Sequence, residues 1–342
     1  MVCDPGAVAP EKLARVEHDA TADERRSLTF RSRGLVYGVA AALFVAAVVL
    51  AALRVGDQPG RLSDWQALVL GITQGATELL PISSSGHLIL VPWLADWQYL
   101  KEHDEFNQTF DVALHLGTLI AVATYFRHEI ARLLVAFVRS VRHRRIEGAE
   151  ERTAWFIAAA TVPAALIGAA GESFIADRLG EPWQIAIFLA AGAVLLWIAD
   201  RRPQTRHIDD LTLGRSFAVG LAQAVALAPG VSRSGITITA GRFLGLDRDS
   251  AARFSFLLLV PITLGAVLFK GLTDVVLGDL PPGSAGPFFV GVVASALSGF
   301  AAIVFLLRYV RTHSYDVFVV YRLAAAAIIL LLIATGVREA GF

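Results

Sequence analysis

The stretch GITQGATELLPISSSGH, residues 71–87, decides the fold, because it returns as GLAQAVALAPGVSRSG at residues 220–235. Gly71 stands over Gly220, Gln74 over Gln223, Ser83 over Ser232, Ser85 over Ser234 and Gly86 over Gly235, at one offset and without a gap. Ile72 and Ile82 meet Leu221 and Val231, while Pro81 and Pro229 miss register by one residue. Polar matches of this kind in an apolar chain mark an internal repeat rather than a bias of composition. Each copy interrupts an apolar stretch, 65–95 or 213–246, near its middle with Pro, Gly and Ser. The halves that remain are short for a bilayer span of roughly 20 residues.

The rest of the chain is apolar at membrane length. Of 342 residues 55% are hydrophobic and 18% charged, against about 25% charged in soluble domains. Spans are expected at 34–54, 111–138, 153–171, 183–199, 250–272, 287–307 and 320–337, rich in Ala, Val, Leu, Ile and Phe without strand-like alternation. Thirty basic residues balance thirty acidic ones, so no basic surplus exists to neutralise phosphates and no nucleic-acid partner is expected. The single cysteine, Cys3, excludes an internal disulfide and a cysteine metal cluster. Residues 34–54 follow Arg25, Arg26, Arg31 and Arg33, as a signal peptide would. The preceding arm is long for such a leader and no small-residue cleavage site follows, so an additional transmembrane helix behind a polar cytoplasmic arm, 1–33, is expected.

Charge along the chain sets the topology. Arg139, Arg142, Arg144 and Arg145, then Arg201, Arg202 and Arg206, then Arg308 and Arg311 mark three cytoplasmic loops. The acidic stretches 96–110, 172–182 and 273–286 face outside. If 65–95 crossed the bilayer, the 139–145 loop would land outside; if 213–246 crossed, Arg308 and Arg311 would. Both stretches are therefore expected to be re-entrant helix–turn–helix hairpins, one entering from each side. Three spans separate the copies, an odd number, which inverts the second copy. The expected fold is an all-α polytopic membrane protein with an inverted-topology repeat, plus the extra N-terminal helix. Repeat 1 covers about 61–199 and repeat 2 about 213–337, within one domain of 61–342.

Such a repeat brings the polar tips together near the midplane. The first tip carries Gln74 and Glu78 four residues apart on one helix face, then Ser83, Ser84, Ser85, Gly86 and His87. The second carries Ser232, Arg233, Ser234 and Thr237. A Ser- and Gly-rich turn opening into a helix offers backbone N–H groups and a positive dipole end, and arginine adds a permanently charged fork. The second tip reads as a phosphate cradle. The first supplies a carboxylate, an imidazole and hydroxyls that can bind a cation, accept a proton or attack. Glu78 with Arg233 also fits a structural ion pair, and the serines fit helix caps. His115, inside the 111–138 span, has two readings, lining the same cavity or bonding helix to helix, and the second is the better fit.

The two motifs, Gln74-Gly75-Ala76-Thr77-Glu78 with Leu80-Pro81-Ile82-Ser83-Ser84-Ser85-Gly86-His87, and Pro229-Gly230-Val231-Ser232-Arg233-Ser234-Gly235-Ile236-Thr237, resemble those of the undecaprenyl-diphosphatase (bacitracin-resistance protein) family. The resemblance covers roughly residues 61 to 340. It implies an integral membrane hydrolase that removes the terminal phosphate of undecaprenyl diphosphate and regenerates the monophosphate carrier for cell-wall glycan. It also implies divalent-metal assistance, and bacitracin as a competitor for the lipid substrate. The family's acidic motif has Glu or Gln first and Glu second; this chain has the one-carboxylate form, Gln74 and Glu78. Mg²⁺ or Ca²⁺ held by Glu78 and the substrate's own diphosphate oxygens is the corresponding expectation. By resemblance, Glu78, Ser84 and His87 are catalytic, and Arg233, Ser232, Ser234 and Thr237 bind phosphate, with Gln74, Ser83 and Ser85 beside them.

Ser84, His87 or a water activated by one of them is expected to attack the terminal phosphorus in line while Arg233 holds the diphosphate. The topology opens the first tip toward the outer face. A polyprenyl-phosphate flippase or transporter is the competing reading, since inverted repeats with broken helices are common in transporters, which need no nucleophile. A different class of membrane lipid phosphatase pairs Ser-Gly-His with a second motif of Ser-Arg, five residues and His. Ser85-Gly86-His87 fits the first part, but the position six beyond Arg233 is Thr239.

Overall fold

The computed structural model describes residues 61–271 and 283–341. The arm 1–33 and the expected helix 34–54 lie outside the described residues. Among them the chain is all helix, with no strand. The helices are α1 (Asp64–Leu79), α2 (Ser84–Ala95), α3 (Gln98–Glu102), α4 (Asp104–Tyr125), α5 (Arg127–His143), α6 (Ala149–Arg178), α7 (Pro182–Asp200), α8 (Leu213–Val225), α9 (Arg233–Phe243), α10 (Arg248–Lys270), α11 (Ala285–Tyr309) and α12 (Asp316–Ala334). A short 3₁₀ turn, Ile208–Asp210, precedes α8. Among the described residues five helices, α6, α7, α10, α11 and α12, are long and apolar enough to cross a membrane. Their outward faces carry large apolar side chains such as Leu166, Phe269, Phe289, Leu297 and Val320, the surface of a multi-pass membrane protein.

Residues 111–138 form a sharply bent pair rather than one span: α4 and α5 meet at Phe126 with an angle of 87°. At about 1.5 Å per residue, the 22 residues of α4 already reach about 33 Å. The residues after the bend run nearly at right angles to α4. Leu134, Val135, Val138 and Val141 form an exposed apolar stripe, Arg132 and Arg139 lie exposed on another face, and Ala136 and Ser140 pack inward. That three-sided pattern suits a helix lying in a membrane surface.

The two copies each fold as a short helix, a tight turn and a second short helix. Ser63 starts α1 with a capping box: its hydroxyl accepts from Gln66 N at 3.2 Å, and Gln66 Oε1 accepts from Ser63 N at 2.9 Å. Pro81 excludes the helical conformation at Leu80, which is extended at φ −76°, ψ 145°, and ends α1 there. In α8 the cap is Thr212. The halves measure 16 and 12 residues in the first copy, 13 and 11 in the second. All are about 24 Å or shorter against a bilayer core of about 30 Å.

Contacts at the helix ends place both hairpins. Asp64, entering α1, lies against Gly286 at the start of α11, and Asp96, leaving α2, bonds Arg338 at 3.2 Å beyond α12. The two ends of the first hairpin thus contact the start of α11 and the segment after α12. Around the second hairpin Arg206 N and Asp247 N bond Gly245 O and Arg206 O, and Ile208 N bonds Ser250 Oγ, which ties the segment before α8 to the segment after α9. Asp200 ties this region: it accepts from Arg248 Nε at 2.7 Å, Arg242 Nε at 3.3 Å and Tyr315 N at 3.1 Å.

Small residues let helices from opposite ends of the chain close on one another. Gly71 and Gly75 of α1 lie directly against the backbone of Gly291 and Ser295 in α11, leaving no room for a Cβ. Gly220 of α8, the repeat partner of Gly71, lies in the same way against Ala160 of α6. Backbone approach through glycine is the usual basis of tight helix contacts in lipid.

Candidate active site

The tips of the two hairpins meet in the middle of the bundle. Ser234 Oγ donates to Leu80 O at 3.0 Å, stitching the second turn to the first. Ser83 and Ser232 immediately precede α2 and α9 and have positive φ, 78° and 76°, a conformation few non-glycine residues adopt. Each uses its hydroxyl as a helix cap, Ser83 for Gly86 N and Ser232 for Gly235 N at 3.0 Å. Strain of this kind costs about 1–3 kcal/mol per residue and persists where the surroundings over-determine it.

Glu78 is the centre of the site. It sits in the last turn of α1 and is buried, where the helix dipole disfavours a negative charge. Cations and donors on other elements offset that. Arg233, first residue of α9, gives its Nε and Nη2 protons to Glu78 Oε1 at 3.1 and 2.9 Å. Its Nη1 donates to Ser255 O of α10 at 2.9 Å. Those bonds occupy three of the guanidinium's five N–H donors and leave two for an anion. Glu78 Oε2 accepts a short hydrogen bond from Ser84 Oγ and a long one, 3.4 Å, from Gln74 Nε2. His115 Nε2 stands 3.5 Å from the same oxygen.

Gln74, Glu78, Ser84 and Arg233 thus lie in contact with one another. Thr237 backs Arg233, bonding Ser255 Oγ at 2.7 Å and Arg233 O at 2.7 Å. Ser83, Ser232 and Ser234 hold the turns and do not touch Glu78, and Ser85 is half-buried beside them. His87 points elsewhere. Its Nδ1 lies 2.6 Å from Ser83 O, which can only accept, so Nδ1 carries a proton. Its Nε2 lies 2.5 Å from the Tyr321 hydroxyl, and the two rings stack at 5.7 Å. Both imidazole nitrogens are engaged within the protein.

The imidazole facing the carboxylate belongs to His115 of α4, whose Nδ1 donates to Asp111 O at 2.7 Å. In sequence helix–helix bonding is the preferred reading and lining the tips' cavity the other; the structure sets it beside Glu78. Tyr321, Arg322 and Ser255 escape the sequence reading. For Arg322 a signal exists, since an arginine inside an apolar span is a functional candidate by its cost alone.

Among the described residues no group of three or more His, Cys, Asp and Glu is arranged to hold a metal ion. Glu78 has each oxygen already bonded by protein donors. The donor set is poor for a cation cage built by protein alone, and suits at most one carboxylate ligand to an ion carried by a ligand's own oxygens. Chemically, the arrangement pairs a hydroxyl with a carboxylate base and sets a forked cation beside both.

Comparison with known proteins agrees with these motifs. The family model described as bacitracin resistance protein BacA matches residues 67–328. An undecaprenyl-diphosphatase of Pelotomaculum thermopropionicum is 46% identical over 283 residues, covering 82% of this chain and 100% of the relative. Undecaprenyl-diphosphatases of Geobacter metallireducens, 47% identical over 274 residues, and Pelobacter propionicus, 45% over 273, cover 80% and 79% of this chain and 99% and 97% of their own lengths. The chain belongs to the bacitracin resistance protein BacA family.

Proposed function

We infer that this protein is a membrane phosphatase that hydrolyses undecaprenyl diphosphate to undecaprenyl phosphate and inorganic phosphate, returning the lipid carrier to cell-wall synthesis. The observation that carries the reading is the Ser84–Glu78–Arg233 contact, in a chain whose relatives bear the diphosphatase name over nearly their whole length. A transporter would need no hydroxyl–carboxylate pair, and the name those relatives carry is that of a hydrolase.

In the mechanism we propose, the two free N–H groups of Arg233 bind the diphosphate and hold its terminal phosphorus before Ser84. Glu78 Oε2 takes the Ser84 proton as Oγ bonds to phosphorus, and the bridging P–O bond breaks to release the lipid monophosphate. Water then attacks the phosphoserine phosphorus, the Ser84 Oγ–P bond breaks, inorganic phosphate leaves with the water's oxygen and hydrogens, and Glu78 returns its proton to Ser84 Oγ. Ser84 is favoured over His87 as nucleophile because its oxygen already donates to the base, whereas His87 is tied to Ser83 and Tyr321. A divalent ion, Mg²⁺ or Ca²⁺, bound by Glu78 and the diphosphate would supply charge neutralisation on the phosphate oxygens.

We further propose that the hairpins are re-entrant and related by an inverted repeat, with the N-terminus cytoplasmic and the site opening outward. The pairing of α1 with α11 and α8 with α6 supports this exchange of partners between halves. The division into an arm, an added helix and a domain of 61–342 belongs to the same proposal, as does competition by bacitracin for the lipid. Phosphate release by purified protein from a polyprenyl diphosphate tests the function. Turnover by Glu78→Gln or Arg233→Lys at the wild-type rate would overturn the assignment of the site.

A further inference from the structure

Behind the two tips lies a second buried arginine. Arg322, in the second turn of α12, has no exposed surface and forms no ion pair among the described residues. Its partners are five backbone carbonyls. Nη1 donates to Pro81 O at 3.3 Å, in the first turn. Nη2 reaches Gly230 O at 3.3 Å and Val231 O at 3.0 Å in the second turn, and Phe188 O at 3.2 Å in α7. Nε donates to Leu189 O at 3.0 Å.

Two features separate this from an arginine that merely fills space. First, the carbonyls it takes from the turns belong to the residues just before the strained Ser83 and Ser232. One rigid, planar fork thus grips both turns where their backbone is least comfortable, and the residues that follow are Ser84 and Arg233. Second, the fold clears room for the guanidinium. A Cβ on Gly192 of α7 would stand 2.1 Å from Nη2, and one on Gly235 of α9 would stand 2.8 Å from Nη1. A lysine in the same place would keep the charge, but its single nitrogen cannot bridge carbonyls on three elements at once.

We propose that Arg322 is a positioning residue for hydrolysis: it fixes the spacing of the two tips, and with it the alignment of Ser84 and Glu78 on one tip with Arg233 on the other. It touches no reacting atom and acts through the Pro81, Gly230 and Val231 carbonyls. The inference rests on the reading of Ser84, Glu78 and Arg233 as the reacting centre.

The test compares Arg322→Lys, Gly192→Ala and Glu78→Gln with wild type, measuring kcat and KM on a polyprenyl diphosphate and thermal melting in detergent. Arg322→Lys keeps the charge and loses the fork; Gly192→Ala pushes on the guanidinium without altering either tip. Both are expected to lower kcat by about a hundredfold, the scale of a misplacement near 1 Å, with KM within about threefold and melting preserved. A wild-type kcat in either variant overturns the proposal. So does a loss of kcat that tracks a loss of folded protein, the signature of a purely structural arginine. Should Arg322→Lys fail to fold, Gly192→Ala decides alone. If Glu78→Gln keeps its activity, the reading of the centre falls; if it is inactive while the other two are normal, only the role of Arg322 falls.

Discussion

Ser83 and Ser232, in separate hairpins, hold nearly the same backbone, φ 78°, ψ 96° and φ 76°, ψ 112°, and each caps the helix it precedes. Two residues sharing both a rare conformation and a bonding role show that the copies match in geometry at their turns as well as in sequence.

This pairing predicts an inverted ranking of small substitutions. Ser232→Ala keeps the positive φ and removes the cap, a loss of about 1 kcal/mol. Ser232→Gly removes the cap too, but relieves the strain and is expected to be close to neutral. Melting of the two variants in detergent checks this; an alanine variant at least as stable as the glycine variant would contradict it.

The Glu78–Arg233 pair predicts that single replacements harm more than the pair contributes. Removing one partner leaves a buried charge alone, which costs about 3–5 kcal/mol. Glu78→Gln is therefore expected to lower the melting midpoint as well as abolish phosphate release, and a Glu78→Gln/Arg233→Met double variant to melt higher than Glu78→Gln alone. Equal midpoints would show that the charges are not coupled.

For the nucleophile, rapid quench with labelled diphosphate is expected to trap a phosphoenzyme in wild type and in Tyr321→Phe, and none in Ser84→Ala. Tyr321→Phe removes only the hydroxyl bonded to His87 Nε2. A phosphoenzyme that survives Ser84→Ala would move the attack to His87 or to another group.

Chelation separates an ion carried by substrate from one held by protein. Stripping divalent ions is expected to slow turnover and leave the melting midpoint of the free protein unchanged, because an ion bound only with substrate does not stabilise the substrate-free fold. A midpoint that falls on chelation would point to a protein-held ion.

In the region that Asp200 ties together, burial alone would push the Asp247 carboxyl up. The N–H and O–H of Ser250, both at 2.8 Å, and His207 Nδ1 at 2.6 Å outweigh it and hold the group below its usual range. A depressed carboxyl stabilises the fold above its unfolded value, and that stability drains as pH falls through the lower folded value. Wild type is thus expected to lose stability relative to Asp247→Asn from about pH 4 downward. Parallel melting curves of the two proteins across that window would refute it.

The hairpins are legible in sequence because polar residues interrupt an otherwise apolar chain, and Gln74, Glu78, Ser84 and Arg233 stand out for the same reason. The bend at Phe126 is marked by Arg127, His128 and Glu129 directly after it, but apolar residues resume at Ile130 and the stretch still reads as one span. What distinguishes α5 is the placement of Arg132 and Arg139 around the helix, a pattern that becomes decisive only once α4 is seen to be long enough alone. His115 hides because its bonding to Glu78 depends on how α4 packs against α1, which no local pattern encodes. Arg322 carries a sequence signal, its charge, but its partners are backbone carbonyls on three other elements and leave no trace in residue type.

The seam between α1 and α11 has a consequence for the order in which the protein is made. A ribosome that has delivered the chain through Phe243 has supplied both tips, yet Gly71 and Gly75 still lack the helix they lie against, and His87 lacks Tyr321. The earliest hairpin must wait in the membrane for the latest helices. The catalyst is therefore assembled only at the end of translation, and a chain cut short before α12 is expected to carry every reacting residue and remain silent.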